Sequence, residues 1–156
     1  MKAPASPRYR ITSPAPEKPL FVFDGSCGFC RACAGRGQIL TRGGVVFAAS
    51  QEVAPRQSGV PQEAFERSSV LIAPDGEVFT GAESVLRALA IDPSRRLPLT
   101  IYESVPGAAR AAEMVYRIVA RNRPLLTRLT RHFTGGPADV PEERAGSCGP
   151  DPGSAD

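Results

Sequence analysis

The 156-residue chain has no tryptophan, a single histidine and only 6% aromatic residues. Proteins that hold single-stranded nucleic acid stack bases on aromatic side chains along a basic groove. A net charge of +3 without any dense basic run argues against that class. Lysine is scarce, Lys2 and Lys18 being the two present, so the positive charge rests on arginine. With abundant Ala, Gly and Pro, that bias is expected of a GC-rich genome rather than of a nucleic-acid partner. No stretch approaches the ~18 continuous apolar residues of a membrane span. The start, MKAPASPRYRITSPAPEKPL, contains no apolar core of a secretory leader. A cytoplasmic protein without a membrane span is therefore expected, and there a close cysteine pair points to catalysis or metal binding rather than a structural disulfide.

Residues 1–19 are Pro-rich and polar and are expected to be a disordered arm. Residues 134–156, rich in Gly, Pro and acidic groups, are expected to be a disordered tail, which leaves a folded unit at 20–133. Within it, LFVFD (Leu20–Asp24) and VVFAA (Val45–Ala49) have the composition of buried strands. Between them a helix is predicted from about Ser26 to Thr41, weakened by Gly35 and Gly37. One or two short helical turns follow. SVLIA and EVFTG flank Pro74-Asp75-Gly76, a strong hairpin signal. AESVLRALA then has helical spacing and is stopped by Asp92-Pro93. The order β-α-β-α-β-β-α implies an α/β fold with a mixed four-stranded sheet, helices on both faces and the first two strands parallel. A last helical region, Pro106–Phe133, carries Ala111, Val115, Ile118, Val119 and Leu126 on an apolar face expected to pack on the core. Arg110, Arg117, Arg121 and Arg128 are expected to form a solvated stripe, with binding of acidic partners or a membrane surface as the alternative, and Pro124 should kink or split the helix.

Three of the four cysteines, Cys27, Cys30 and Cys33, lie in FVFDGSCGFCRACAGRG at the first strand–helix junction. Disulfide exchange requires a thiolate attacker and a second thiol close enough to release the mixed disulfide. A Cys-x-x-Cys pair at a helix N-terminus supplies both, because unpaired N–H groups and the helix dipole favour the first thiolate. Cys27 is the candidate nucleophile and Cys30 the resolving thiol. Asp24, at the strand end, is a candidate proton acceptor for Cys30, and an Asx-turn that shapes the Asp-Gly-Ser bend is an equal reading. Cys33 is expected to turn off the Cys27 face as a small buried residue. The even spacing also matches the start of an iron–sulfur run. However, Gly37 occupies the place of its fourth cysteine, Cys148 lies in the tail, and the sole histidine, His132, is remote.

FDGSCGFC resembles the opening motif of the DCC family of thiol–disulfide oxidoreductases, Asp-x-x-Cys-x-x-Cys, here Asp24, Cys27 and Cys30. PDGEVFTGAESVLRAL is similar to that family's later hairpin, and VYRIVARNR to its closing helix, with Tyr116, Ala120, Asn122 and Arg123 on the matching positions. The resemblance spans about residues 20–125. It implies a thioredoxin-like fold and protein-disulfide reductase activity, with Cys27, Cys30 and Asp24 as site residues. No cofactor and no metal are expected. Its partners would be protein or small-molecule disulfides and a thiol reductant. The alternatives are a redox-inactive thioredoxin-like binding module and a cysteine-ligated metal or iron–sulfur protein. Thioredoxins and glutaredoxins usually place a cis-proline before the third strand, facing the active cysteine; Ser68 and Ser69 stand there in this chain, so a different substrate groove is expected. Asn122 and Arg123 are candidates for packing against the Cys27 loop or for contacting substrate, with plain helix–core contact as the favoured reading.

Overall fold

A computed structural model describes residues 8–12, 14–53 and 59–134, with side chains to residue 130. Its elements in chain order are β1 (Tyr9–Arg10), β2 (Leu20–Phe23), α1 (Gly28–Thr41), β3 (Val46–Ala49), α2 (Ser50–Val53), α3 (Gln62–Arg67), β4 (Val70–Ile72), β5 (Glu77–Thr80), α4 (Gly81–Leu89), a 3-10 turn at Pro93–Arg95, α5 (Leu97–Ser104), α6 (Ala108–Arg121) and α7 (Arg123–Thr134). The result is a mixed α/β architecture built on one sheet in the order β1-β5-β4-β2-β3.

The pairing follows from the strand chemistry. β2 runs parallel to β3 through the α1 crossover, with Phe21 opposite Phe47. β4 pairs antiparallel to both β2 and β5. The β4–β5 hairpin closes on Asp75-Gly76 as expected. Gly76 takes φ +84°, and the Asp75 carboxylate accepts the Glu77 N–H at 3.0 Å. Side chains alternate between the two faces with period two. Phe21, Phe23, Leu71 and Phe79 meet Ala34 of α1 and Ala88 of α4 on one face. Val22, Val70, Ile72 and Val78 meet Phe65 of α3, Val60 and Ile11 on the other. Helices on both faces are thus present. α6 packs on α4 and α5, and α7 packs on α1.

The sheet has five strands rather than four. The additional edge strand, Tyr9–Arg10, falls in the stretch expected to be a disordered arm and pairs with Val78 and Glu77. Ile11 is buried beside it. Arg8 reaches the buried Glu83 at 2.7 Å, and Arg87 holds the same carboxylate at 3.0 Å. A two-residue strand between prolines is too short for periodicity to reveal; a salt bridge and one buried isoleucine tie it down. α5 is a second addition. Pro98 sits in its first turn, where the missing N–H costs nothing, and Leu99 and Tyr102, three apart, are its buried face.

The closing helical region splits at Asn122, as Pro124 predicts. Its packing differs from expectation, because Val115 and Ile118 of the apolar face are exposed. α6 buries Glu113 instead. The Glu113 carboxylate accepts the Ala82 and Glu83 N–H groups at 3.3 and 3.1 Å and the Tyr102 hydroxyl at 3.1 Å. It therefore satisfies the first free amides of α4 from outside that helix. Gly81 makes this contact possible. It takes φ +67°, and a Cβ there would collide with the Glu113 carboxylate. Among the described residues no helix is long and apolar enough to cross a membrane. The segment 54–58, the tail from 135 onward with Cys148, and the His132 side chain lie outside the described residues.

Candidate active site

The site forms where β2 ends and α1 begins. Asp24 follows the last strand residue, and its Oδ1 accepts the Ser26 N–H at 3.0 Å and the Ser26 hydroxyl at 2.7 Å. That is the Asx-turn anticipated for the Asp-Gly-Ser bend. The bend is braced from α2 by Gln51, which donates to Asp24 Oδ1 at 3.2 Å and accepts the Gly25 N–H at 3.1 Å. Partial burial pushes the Asp24 carboxyl up. The bonds from Ser26 and Gln51 and the Arg123 charge outweigh this and hold it below the ordinary aspartate value.

Cys27 is the N-cap of α1. Its extended backbone (φ −89°, ψ 112°) ends the turn, so the helix starts at Gly28, two residues later than predicted. Its sulfur accepts the Cys30 N–H at 3.2 Å, which occupies one of the free first-turn donors. The Cys30 thiol donates to the same sulfur, the two Sγ atoms being 2.6 Å apart. Partial burial, the hydrogen bond to Cys27 and the Cys27 charge together push the Cys30 thiol far above the ordinary thiol range, while Arg123 acts in the opposite direction. Cys30 therefore holds its proton at neutral pH.

The third wall of the site comes from α7. Thr127 Oγ1 accepts the Phe29 N–H at 3.2 Å and lies 3.8 Å from Cys27 Sγ. Because Oγ1 accepts from Phe29, its own hydrogen is free to point at the Cys27 sulfur. Gly28 admits this approach, since a Cβ there would lie 2.9 Å from Thr127 Cγ2. Cys27 retains only 9% of its surface. Thr127 and Gln51 were not foreseen from the sequence. Both are remote in the chain, and only the hydroxyl and amide chemistry of their side chains hints at a role.

Cys33 is not buried. It is exposed, and it lines the same open groove as Cys30. At ~100° per residue, side chains three apart on a helix stand only about 60° apart, so Cys33 shares the face of Cys30 rather than a core face. The groove walls and the Cys27 charge push its thiol up. No group of three or more His, Cys, Asp or Glu side chains suited to a metal occurs among the described residues.

Arg123 lies by the pair, within electrostatic reach of Cys30 and Asp24, and donates to Tyr116 Oη at 3.3 Å. Asn122 does not join it; its amide bonds the Ile118 carbonyl and closes α6. At the entrance to β4, the Ser69 N–H donates to Tyr116 Oη at 2.7 Å, and the Ser69 hydroxyl sits 2.9 Å from Ser84 Oγ.

A dithiol capping a helix, with a carboxylate and a guanidinium beside it, is an arrangement suited to thiol–disulfide exchange. The family model of DCC1-like thiol-disulfide oxidoreductases matches residues 21–129, which runs from β2 into α7. The chain belongs to the DCC1-like thiol-disulfide oxidoreductase family. The matched span contains Asp24, Cys27, Cys30, Arg123 and Thr127. No curated protein and no solved structure matches the chain.

Proposed function

We propose that this DCC1-like chain is a protein-disulfide reductase working through a mixed disulfide on a thioredoxin-like domain. The observation that carries the reading is Cys27 as the α1 N-cap, with the Cys30 N–H and S–H both directed at its sulfur. In the first step the Cys27 thiolate attacks one substrate sulfur. The substrate S–S bond breaks, a Cys27–substrate disulfide forms, and the second substrate sulfur leaves as a thiolate. In the second step Cys30 loses its proton, with Asp24 or water as acceptor, and attacks Cys27 Sγ. The remaining substrate thiolate is released and a Cys27–Cys30 disulfide is left. Two electrons have passed to the substrate, and an external thiol reductant restores the dithiol. A role of this kind fits a reducing, cytoplasmic compartment.

Arg123 supports the second step, because its charge eases removal of a proton that burial and Cys27 hold on Cys30. The reading is tested by following reduction of insulin or of a small aromatic disulfide. Cys27→Ser is expected to abolish turnover, and Cys30→Ser to trap a mixed disulfide on Cys27. Full wild-type turnover by Cys27→Ser would overturn the assignment of the nucleophile.

A further inference from the structure

We infer that the substrate is a polypeptide disulfide whose cysteine is flanked by an aliphatic or aromatic side chain and, beyond it, by acidic residues. The inference rests on the reading above and adds the substrate class. An open groove of about 490 Å³ lies against Cys30, the member of the dithiol on its described lining. Its walls are Phe29 and Cys30 of α1, Leu86 of α4, and Val115 and Val119 of α6. Val115 is 57% exposed, so part of this apolar wall faces solvent beside the reactive pair. Among the described residues, Asp24 and Arg123 are the only charged ones on the lining.

The groove adjoins a second basin of about 1000 Å³, the two sharing Tyr116, Ala120 and Arg123. Arg67, Arg117 and Arg121 line the basin together with Glu63 and Glu66. Glu113, also on its wall, is already bonded to the α4 amides. With Arg123, four guanidiniums face two solvent-exposed carboxylates, which favours an acidic chain.

Three observations bear on the occupant. A small, multiply charged disulfide would place its charges against valine, leucine and phenylalanine, with Asp24 and Arg123 as the only counter-charges. A polypeptide can bury one apolar side chain in the groove and continue into the arginine-lined basin. The Ser69 main-chain donor is occupied by Tyr116, so at this wall recognition comes from side-chain burial rather than from strand pairing at Ser69.

The experiment measures kcat/KM of the wild-type chain on four disulfide probes at low salt. Three are quenched fluorescent peptides: leucine beside the cystine with aspartates beyond, serine with aspartates, and leucine with lysines. The fourth is oxidised glutathione. Replacing leucine by serine is expected to lower kcat/KM by about tenfold or more, as loss of a matched apolar contact does. Replacing aspartate by lysine is expected to lower it several-fold, and that gap should close in about 0.5 M salt. Val115→Ser is expected to narrow the leucine-to-serine ratio. Equal rates on all four probes, glutathione as the best substrate, or a ratio untouched by Val115→Ser each overturn the substrate class and leave the reductase reading standing. Absence of turnover on every probe overturns both.

Discussion

Gly28→Ala tests how closely α7 rests on the dithiol. Gly28 is the first residue of α1, and its φ is not positive, so alanine fits the backbone. The added methyl would lie 2.9 Å from Thr127 Cγ2, where ordinary carbon contacts begin at ~3.5 Å. The clash can be relieved in two ways. Thr127 can rotate, which takes Oγ1 off the Phe29 N–H and leaves that donor unpaired at a cost of about 1–3 kcal/mol. Alternatively α7 can move away from α1, an overpacking cost of similar size, about 1–3 kcal/mol. Against this stands the gain of about 0.5–1 kcal/mol for replacing a helical glycine by alanine. The expected net loss is about 1 kcal/mol. Thr127→Ser retains Oγ1 and removes Cγ2, so in that background Gly28→Ala should be neutral or slightly stabilising. The coupling between the two sites is then about 1–2 kcal/mol, within the range seen for residues in contact. Urea unfolding of the four proteins of the double-mutant cycle, in reducing buffer, measures it. An equal cost of Gly28→Ala in both backgrounds would refute the argument that Thr127 Cγ2 is what glycine avoids.

The same geometry fixes four further outcomes. Glu113→Ala removes the acceptor of two α4 amides and the Tyr102 hydroxyl and should cost about 3 kcal/mol in thermal or urea unfolding; Gly81→Ala should be destabilising as well, through its positive φ and the Glu113 carboxylate. Cys30 stays protonated in the folded chain well above pH 9.0, its ordinary value here, whereas the unfolded chain ionises near that value. The reduced protein should therefore hold its Cys30 contribution below pH 9.0 and lose stability as pH rises beyond it, and Cys30→Ala should flatten that decline in urea midpoints measured on either side. Asp24→Asn removes the candidate proton acceptor, so a stopped reaction with a disulfide substrate should show more mixed disulfide on Cys27, while an unchanged amount would assign the proton to water.

Much of the site was legible because its chemistry is local. Asp24, Ser26, Cys27 and Cys30 are neighbours in the chain, and the hydrogen bonds among them follow from a strand ending in an Asx-turn and a helix starting on a sulfur. The Asp75-Gly76 hairpin was legible for the same reason. Cys33 faces solvent rather than the core because the helical neighbour that decides its surroundings is Cys30, not Cys27. Strand β1 was missed because two residues carry no period. The apolar face of α6 was expected to be covered; what α6 buries is Glu113, and no pattern of hydrophobicity points to a buried carboxylate.

By itself the sequence determined the dithiol, its place at a strand–helix junction, the antiparallel hairpin, the parallel pairing of the first two predicted strands, and the break near Pro124. All of these depend on residues a few positions apart, or on the period of one element. Only the tertiary structure decided that Thr127 lies against Cys27 across 100 positions of chain, that Gln51 braces the bend, and that Arg123 shares the site with Asp24 and Cys30. It also decided that Val115 and Val119 face the dithiol groove rather than the core. Those placements depend on how α6 and α7 settle on α4 and α1. That docking is set by contacts such as Glu113 with the α4 amides and Gly28 with Thr127, each a meeting of residues far apart in sequence.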